Sequence, residues 1–169
     1  MSFYKKKIDM NALDQLIESS SDKTKIYLGC DSRVLTKAFY KKNGKDESTK
    51  KISQVLYTCA IVVHIDGKHG GKLFHEHSIE KDFSESRNKP SPRLMMEVYK
   101  ISELYLRMLD EAPNAALKDI EIHLDLSPHE KNKSSSIVNE AIGYIRGLCQ
   151  VEPKIKPDAW CATTVADFF

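Results

Sequence analysis

Hydrophobic and polar positions change period several times along the chain, and each change marks an element. In Lys25–Ser32 the apolar Ile26, Leu28 and Cys30 fall on one face and Tyr27, Gly29 and Asp31 on the other, which predicts a buried strand ending on a carboxylate. Before it, Leu13, Leu16 and Ile17 recur at helical spacing within 11–19, with Asp9 or Asn11 as N-cap. After it, the long β-branched run Ser53–Ile65 and the alternating Lys72–Ile79 flank a Gly-rich turn, the signature of an antiparallel hairpin. Leu73, His75 and His77 share one face of the second arm, and Phe74, Glu76 and Ser78 the other. Residues 93–110 carry Met95, Val98, Ile101, Tyr105 and Met108 at threes and fours, the strongest helical stripe in the chain. Ile120–Leu126 alternates again, with Asp125 on its polar face, and 134–148 is a second amphipathic helix with Ile137, Val138, Ala141, Ile142, Ile145 and Leu148 on one side. Residues 150–156 read as a short strand, and Asp158 caps a last helix running from Ala159 to the end.

The order is a short N-terminal helix followed by β-β-β-α-β-α-β-α, which predicts an α/β fold: a mixed five-stranded sheet flanked by helices. No repeat or linker divides 1–169, so a single domain is expected. The net charge of +2 is too small to imply nucleic acid by itself. Its distribution adds something. Between Arg33 and Lys51 seven basic residues face only Asp46 and Glu47, so 36–52 reads as a basic loop insertion, suited to phosphate or to solvent. Cys30, Cys59, Cys149 and Cys161 form no Cys-x-x-Cys pair, which argues against a zinc site or a disulfide framework. Lys5-Lys6-Lys7 is followed by no apolar leader and no run has membrane-spanning length, so a cytoplasmic protein with reduced thiols is expected, away from membranes.

The chemistry lies in the acids. Asp31 alone would serve equally well as a turn residue beside Ser32. Asp125 also leaves the sheet at a strand end, and neighbouring strands about 4.8 Å apart would bring the two carboxylates to one divalent ion. Glu97 stands on or beside the buried stripe of the long helix, with Glu103 as its alternative, and Asp167 follows Val165-Ala166 on the last helix. Four acids on four elements repel one another in a core without a cation. Oxygen ligands with few His favour Mg²⁺ or Mn²⁺, and two such ions about 4 Å apart are the usual apparatus for attack on a phosphodiester.

Gly29-Cys30-Asp31-Ser32, Glu97, His123-Leu124-Asp125, Lys156-Pro157 and Val165-Ala166-Asp167, taken in order with the Gly-turned hairpin, resemble the YkuK-type family of ribonuclease H-like proteins over nearly the whole chain. The resemblance implies a ribonuclease H-like fold with the first and fourth strands adjacent. It also implies that Asp31, Glu97, Asp125 and Asp167 are counterparts of the catalytic, metal-binding acids. The chain departs from the family pattern at Leu126-Ser127-Pro128, where an Ile-Gly-type turn is usual, and at Arg33, where Gln commonly follows the Asp-Ser pair. A DEDD-type exonuclease would need Asp-x-Glu where Asp31-Ser32-Arg33 stands, and no Gly-x-Ser-x-Gly elbow or Cys/His pair suggests a Ser or Cys hydrolase.

Around the acids, His123 is a candidate for support of the site and His129 for proton movement, while Arg33, Lys154 and Lys156 are candidates for phosphate contacts. His75 and His77 could bind a metal as His-x-His or face a helix or solvent. The function expected is a divalent-metal-dependent nuclease using two ions, with RNA or an RNA–DNA hybrid as substrate. The alternatives are a nucleic-acid-binding module on the same fold with weak or no catalysis, and a structural or partner-binding protein.

Overall fold

Two long strands account for most of the sheet. The computed structural model describes residues 4–38, 51–81, 91–129, 137–166 and 169. β1 (Tyr4–Lys6), β2 (Lys25–Ala38), β3 (Lys51–His64), β4 (Gly71–Lys81) and β5 (Asp119–Leu124) lie in the order β1-β4-β3-β2-β5. β2 and β3 pair antiparallel from Lys25↔His64 to Ala38↔Lys51, so the hairpin uses the period-2 pattern over its full length. β5 pairs parallel with β2 from Lys25↔Asp119 to Cys30↔Leu124, which makes the sheet mixed. A parallel neighbour requires a crossover, and α2 (Ser91–Glu111) provides it between β4 and β5.

The even-numbered side chains of β2 face the helices. Ile26, Leu28 and Cys30 join Ile61, Val63, Ile122 and Leu124 in a core closed by Leu13 and Ile17 of α1 (Met10–Glu18) and by the α2 stripe. α1 begins where Asp9 Oδ1 accepts from the Ala12 N–H at 3.1 Å, the expected cap. Val98, Ile101, Leu104 and Met108 of α2 are fully buried. α3 (Val138–Cys149) packs on α2 and buries Val138, Ala141, Ile145 and Cys149. Leu148, expected on that apolar side, is exposed, and Cys149 holds the inward position instead.

The opposite face of the sheet carries a single turn of π-helix, Cys161–Ala166. It lies directly over Gly29: a Cβ built there would stand 2.5 Å from the Ala162 nitrogen and from the Cys161 carbonyl carbon. Glycine is required at that point because two backbones touch.

Four of the five predicted strands form. The fifth, 150–156, is reduced to one parallel bridge between His123 and Lys154, carried by Leu124 N–H to Lys154 O and Lys154 N–H to Ile122 O, each 2.8 Å. Pro153 within this segment and Pro157 just after it donate no ladder bonds, which stops a strand from growing. The short, polar β1, with Lys5 and Lys6, gives no alternation to detect and completes the other edge. Of the expected basic loop 36–52, both ends belong to the β2–β3 hairpin; residues 39–50 lie outside the described residues. The last helix, expected from Ala159 to the end, is a short wide turn, and Asp167 and Phe168 lie outside the described residues.

Candidate functional site

The parallel register settles where the two strand-end acids stand. Cys30 pairs with Leu124, and both strands then reach Asp31 and Asp125 as the next residue. β5 ends at Leu124 while β2 continues, so the edge of β2 opens beside Asp31. Asp125 is half-buried, and Lys156 Nζ lies 2.5 Å from its Oδ1. That oxygen is buried and accepts no well-directed hydrogen bond despite the ammonium beside it.

Glu97 comes from the other side. It is 5% exposed on α2, where its carboxylate accepts a short hydrogen bond from the Ser32 hydroxyl. Arg93, one turn earlier, donates to the Ser32 carbonyl at 3.2 Å. Asp31 and Ser32 alternate across the strand, so Asp31 projects to the π-helix face while Ser32 and Glu97 meet on the α2 face. Burial pushes the Glu97 carboxyl well above the usual carboxylate range; the charges of Asp31 and Asp125 push the same way, against the Ser32 hydroxyl and Arg93. Three acids therefore act on one neighbourhood. Among the described residues, no three His, Cys, Asp or Glu side chains converge tightly enough to hold an ion. Glu103, the alternative to Glu97, is exposed instead and lines a cavity of about 120 Å³ with Glu76, Glu80, Lys100 and Arg107.

His123 lies beneath the last turn. It is 1% exposed; its Nδ1 accepts from the Cys161 N–H at 3.1 Å and its Nε2 lies 3.2 Å from Glu121. An accepting Nδ1 puts the proton on Nε2, so the ring is neutral and donates to Glu121. Burial pushes its pKa down, opposed by Glu121. Tyr27 and Trp160 enclose it, with ring centroids 5.6 and 5.5 Å away. With both nitrogens engaged, the ring fixes the π-helix start to β5. His129 is exposed in the segment after Asp125, its N–H 3.4 Å from Ser127 Oγ. Lys156 faces Asp125, Lys154 is exposed beside β5, and Arg33 is exposed on the Asp31 face of β2.

His75 and His77 share the π-helix face of β4. Lys6 Nζ approaches His75 Nε2 at 3.1 Å, Thr58 Oγ1 and His77 Nδ1 share a hydrogen bond at 3.1 Å, and the Phe169 ring stacks on His75 at 4.2 Å. Ser32, Arg93 and the pairing of Lys156 with Asp125 escape sequence reasoning. Only the even register of Ser32, opposite in face to Asp31, hints at its contact with the long helix.

No curated protein and no solved structure matches the chain. A family model described as Ribonuclease H-like matches residues 44–169, about three quarters of the chain. The matched segment begins after Asp31 and takes in β3, β4, α2 and β5, and with them Glu97 and Asp125. A mixed sheet with β5 parallel to β2 and helices on both faces agrees with that match, and the chain belongs to the ribonuclease H-like family.

Proposed function

We propose that the protein is a divalent-metal-dependent nuclease of the YkuK type, acting in the cytoplasm on RNA or an RNA–DNA hybrid. The observation that carries this reading is the end of the parallel β2–β5 pairing at Cys30↔Leu124, after which Asp31 and Asp125 are the next residues. With it goes the buried Asp125 Oδ1, which among the described residues has the Lys156 ammonium beside it and no directed hydrogen bond. A buried carboxylate oxygen left without a directed hydrogen bond at a strand end suits a hard cation. Asp31, Glu97 and Asp125 would hold Mg²⁺ or Mn²⁺, with Asp167 as a fourth donor. Two such ions, when bound with substrate, supply water activation and charge neutralisation on the leaving oxygen.

The remaining work belongs to the chain. Lys156 keeps the Asp125 charge compensated and would be displaced from it by a bound divalent ion. To ligate an ion Glu97 would give its proton to solvent, and the Ser32 hydroxyl would hold the carboxylate oriented. His129 exchanges a proton at the rim, and Arg33 and Lys154 contact phosphate.

Cleavage of a substrate panel (hybrid, single-stranded RNA, duplex DNA, branched DNA) with Mn²⁺ tests this. Asp31→Asn and Asp125→Asn should each abolish turnover; activity surviving both sinks the mechanism. Mn²⁺ should also raise the melting temperature of the wild type but not of Asp31→Asn. A second reading, a nucleic-acid-binding module with little or no catalysis, is favoured by the Lys156 ammonium already seated on Asp125. It predicts binding without cleavage and no Mn²⁺ shift.

A further inference from the structure

The registers of four strands place one row of side chains across the π-helix face of the sheet. Asp31 stands opposite Thr58, Thr58 opposite His77, and His77 opposite Lys6. Opposed residues share a face, and the Thr58–His77 hydrogen bond bears this out in the side chains. Three interstrand steps of about 4.8 Å give the row a length of about 14 Å, close to four nucleotides at about 3.4 Å each.

Each end of the row has a cation. Lys6 is exposed at the β1 end, and Arg33 is exposed at the β2 end on the same face as Asp31. Between them lies an aromatic plane. Phe169 stacks on His75 at an interplanar angle of 15°, and His77 stands 5.0 Å from His75. Burial, aided by Lys6, pushes the pKa of both imidazoles down, so at neutral pH they offer flat, uncharged rings. Phe169 is 37% exposed, and Leu73 and Ile79 extend the half-buried apolar surface along β4. A notch of about 10 Å³, bounded by Asp31, Arg33, Thr58 and Phe169, joins this plane to Asp31. Among the described residues the π-helix covers β2, β3 and β5 on this face, while Phe169 and Lys6 lie against His75 of β4.

We propose that this row is a track for a single-stranded nucleic-acid segment, with bases stacking on the His75–Phe169 plane and phosphates held by Lys6 and Arg33. Two cations flanking an aromatic plane are complementary to an alternating chain of phosphates and bases, and a sheet face with stacking side chains is a general way of holding single strands. Thr58, 4% exposed, is the floor of the row rather than a contact. The track ends at Asp31, so it deepens the nuclease reading by naming how a strand is led to that site. It rests on that reading for its direction but not for its existence.

The test is binding in EDTA, where no cleavage occurs, followed by fluorescence anisotropy of fluorescein-labelled oligouridine and oligodeoxythymidine about eight nucleotides long. The wild type and Asp31→Asn should both bind. Phe169→Leu and His75→Ala should weaken binding about tenfold or more. Lys6→Gln should weaken it and lower the slope of log affinity against log salt by about one. Arg146→Gln, an equal loss of charge on α3, should leave binding unchanged. Unchanged affinity in Phe169→Leu, His75→Ala and Lys6→Gln, with melting curves showing them folded, overturns the track. An equal loss in Arg146→Gln overturns it too, because attraction would then be diffuse. Cleavage of the hybrid by a protein that binds neither oligonucleotide removes the track and leaves the nuclease reading standing; binding without cleavage does the reverse.

Discussion

On the α2 face of the sheet, Ile26, Leu28, Cys30, Cys59, Ile61 and Val63 meet three helices in one apolar layer. On the other face, a single wide turn seats its backbone on Gly29, and the row beside it runs Asp31, Thr58, His77, Lys6. The same strands serve both, since alternation sends successive residues to opposite sides. One side carries the stability of the fold, and on the other the row beside the π-helix is polar, where chemistry can be placed. Glu97 is the exception that joins them: a carboxyl sunk in the apolar layer, held against β2 by Ser32.

The contrast breaks most sharply by truncation. Ile101→Ala, on the buried layer, should cost about 2–5 kcal/mol in urea unfolding, while His77→Ala on the polar row should stay below about 1 kcal/mol. Equal costs would abolish the distinction. Gly29→Ala comes next at about 1–3 kcal/mol, because its methyl carbon must displace backbone rather than a side chain. His123→Leu should cost about 1–2 kcal/mol by stranding the buried Cys161 N–H, and a melt that does not move would mean His123 has no part in fixing the last turn.

Two smaller tests use pH. Glu97 holds its proton more tightly in the folded chain, so its contribution is full below its ordinary value of 4.5 and is lost as pH rises toward the raised folded value. Glu97→Gln should flatten that decline in stability between acid and neutral pH; an unchanged slope would mean the carboxyl is not desolvated. Asp66 goes the other way. Hydrogen bonds from Ser21, then His69 and Thr24, hold it at about 2, below its ordinary 3.8. Its contribution is present above 3.8 and disappears as pH falls through about 2. Asp66→Asn should remove that acid-side dependence, and because Asp66 sits at the surface the change should be the smallest of the five.

The apolar layer is legible in the sequence because burial on one face writes a period: 2 in Ile26–Cys30, threes and fours in α2. Glu97 stands out as an acid on the buried stripe, Asp31 and Asp125 as acids at the ends of alternating apolar stretches, and the parallel register of β2 with β5 brings those two ends together. The polar face is not legible in that way. Its order comes from register across strands distant in sequence, as with Lys6, His77, Thr58 and Asp31, and single-strand patterns hold no record of which residues end up opposite. Residues 150–156 misled because Val151 and Ile155 look strand-like while Pro153 quietly removes the ladder. The role of His123 was hidden for a related reason, since its partner is a main-chain N–H at the far end of the chain.

Gly29 has one more consequence. Where side chains meet, a rotamer change can take up slack, but main chain resting on main chain has no such play. The last turn is therefore gauged against β2 as a part is gauged against a datum surface. Asp31 is two residues from that datum along its own strand. That acid is thus measured from a fixed reference point, set by the absence of one carbon atom.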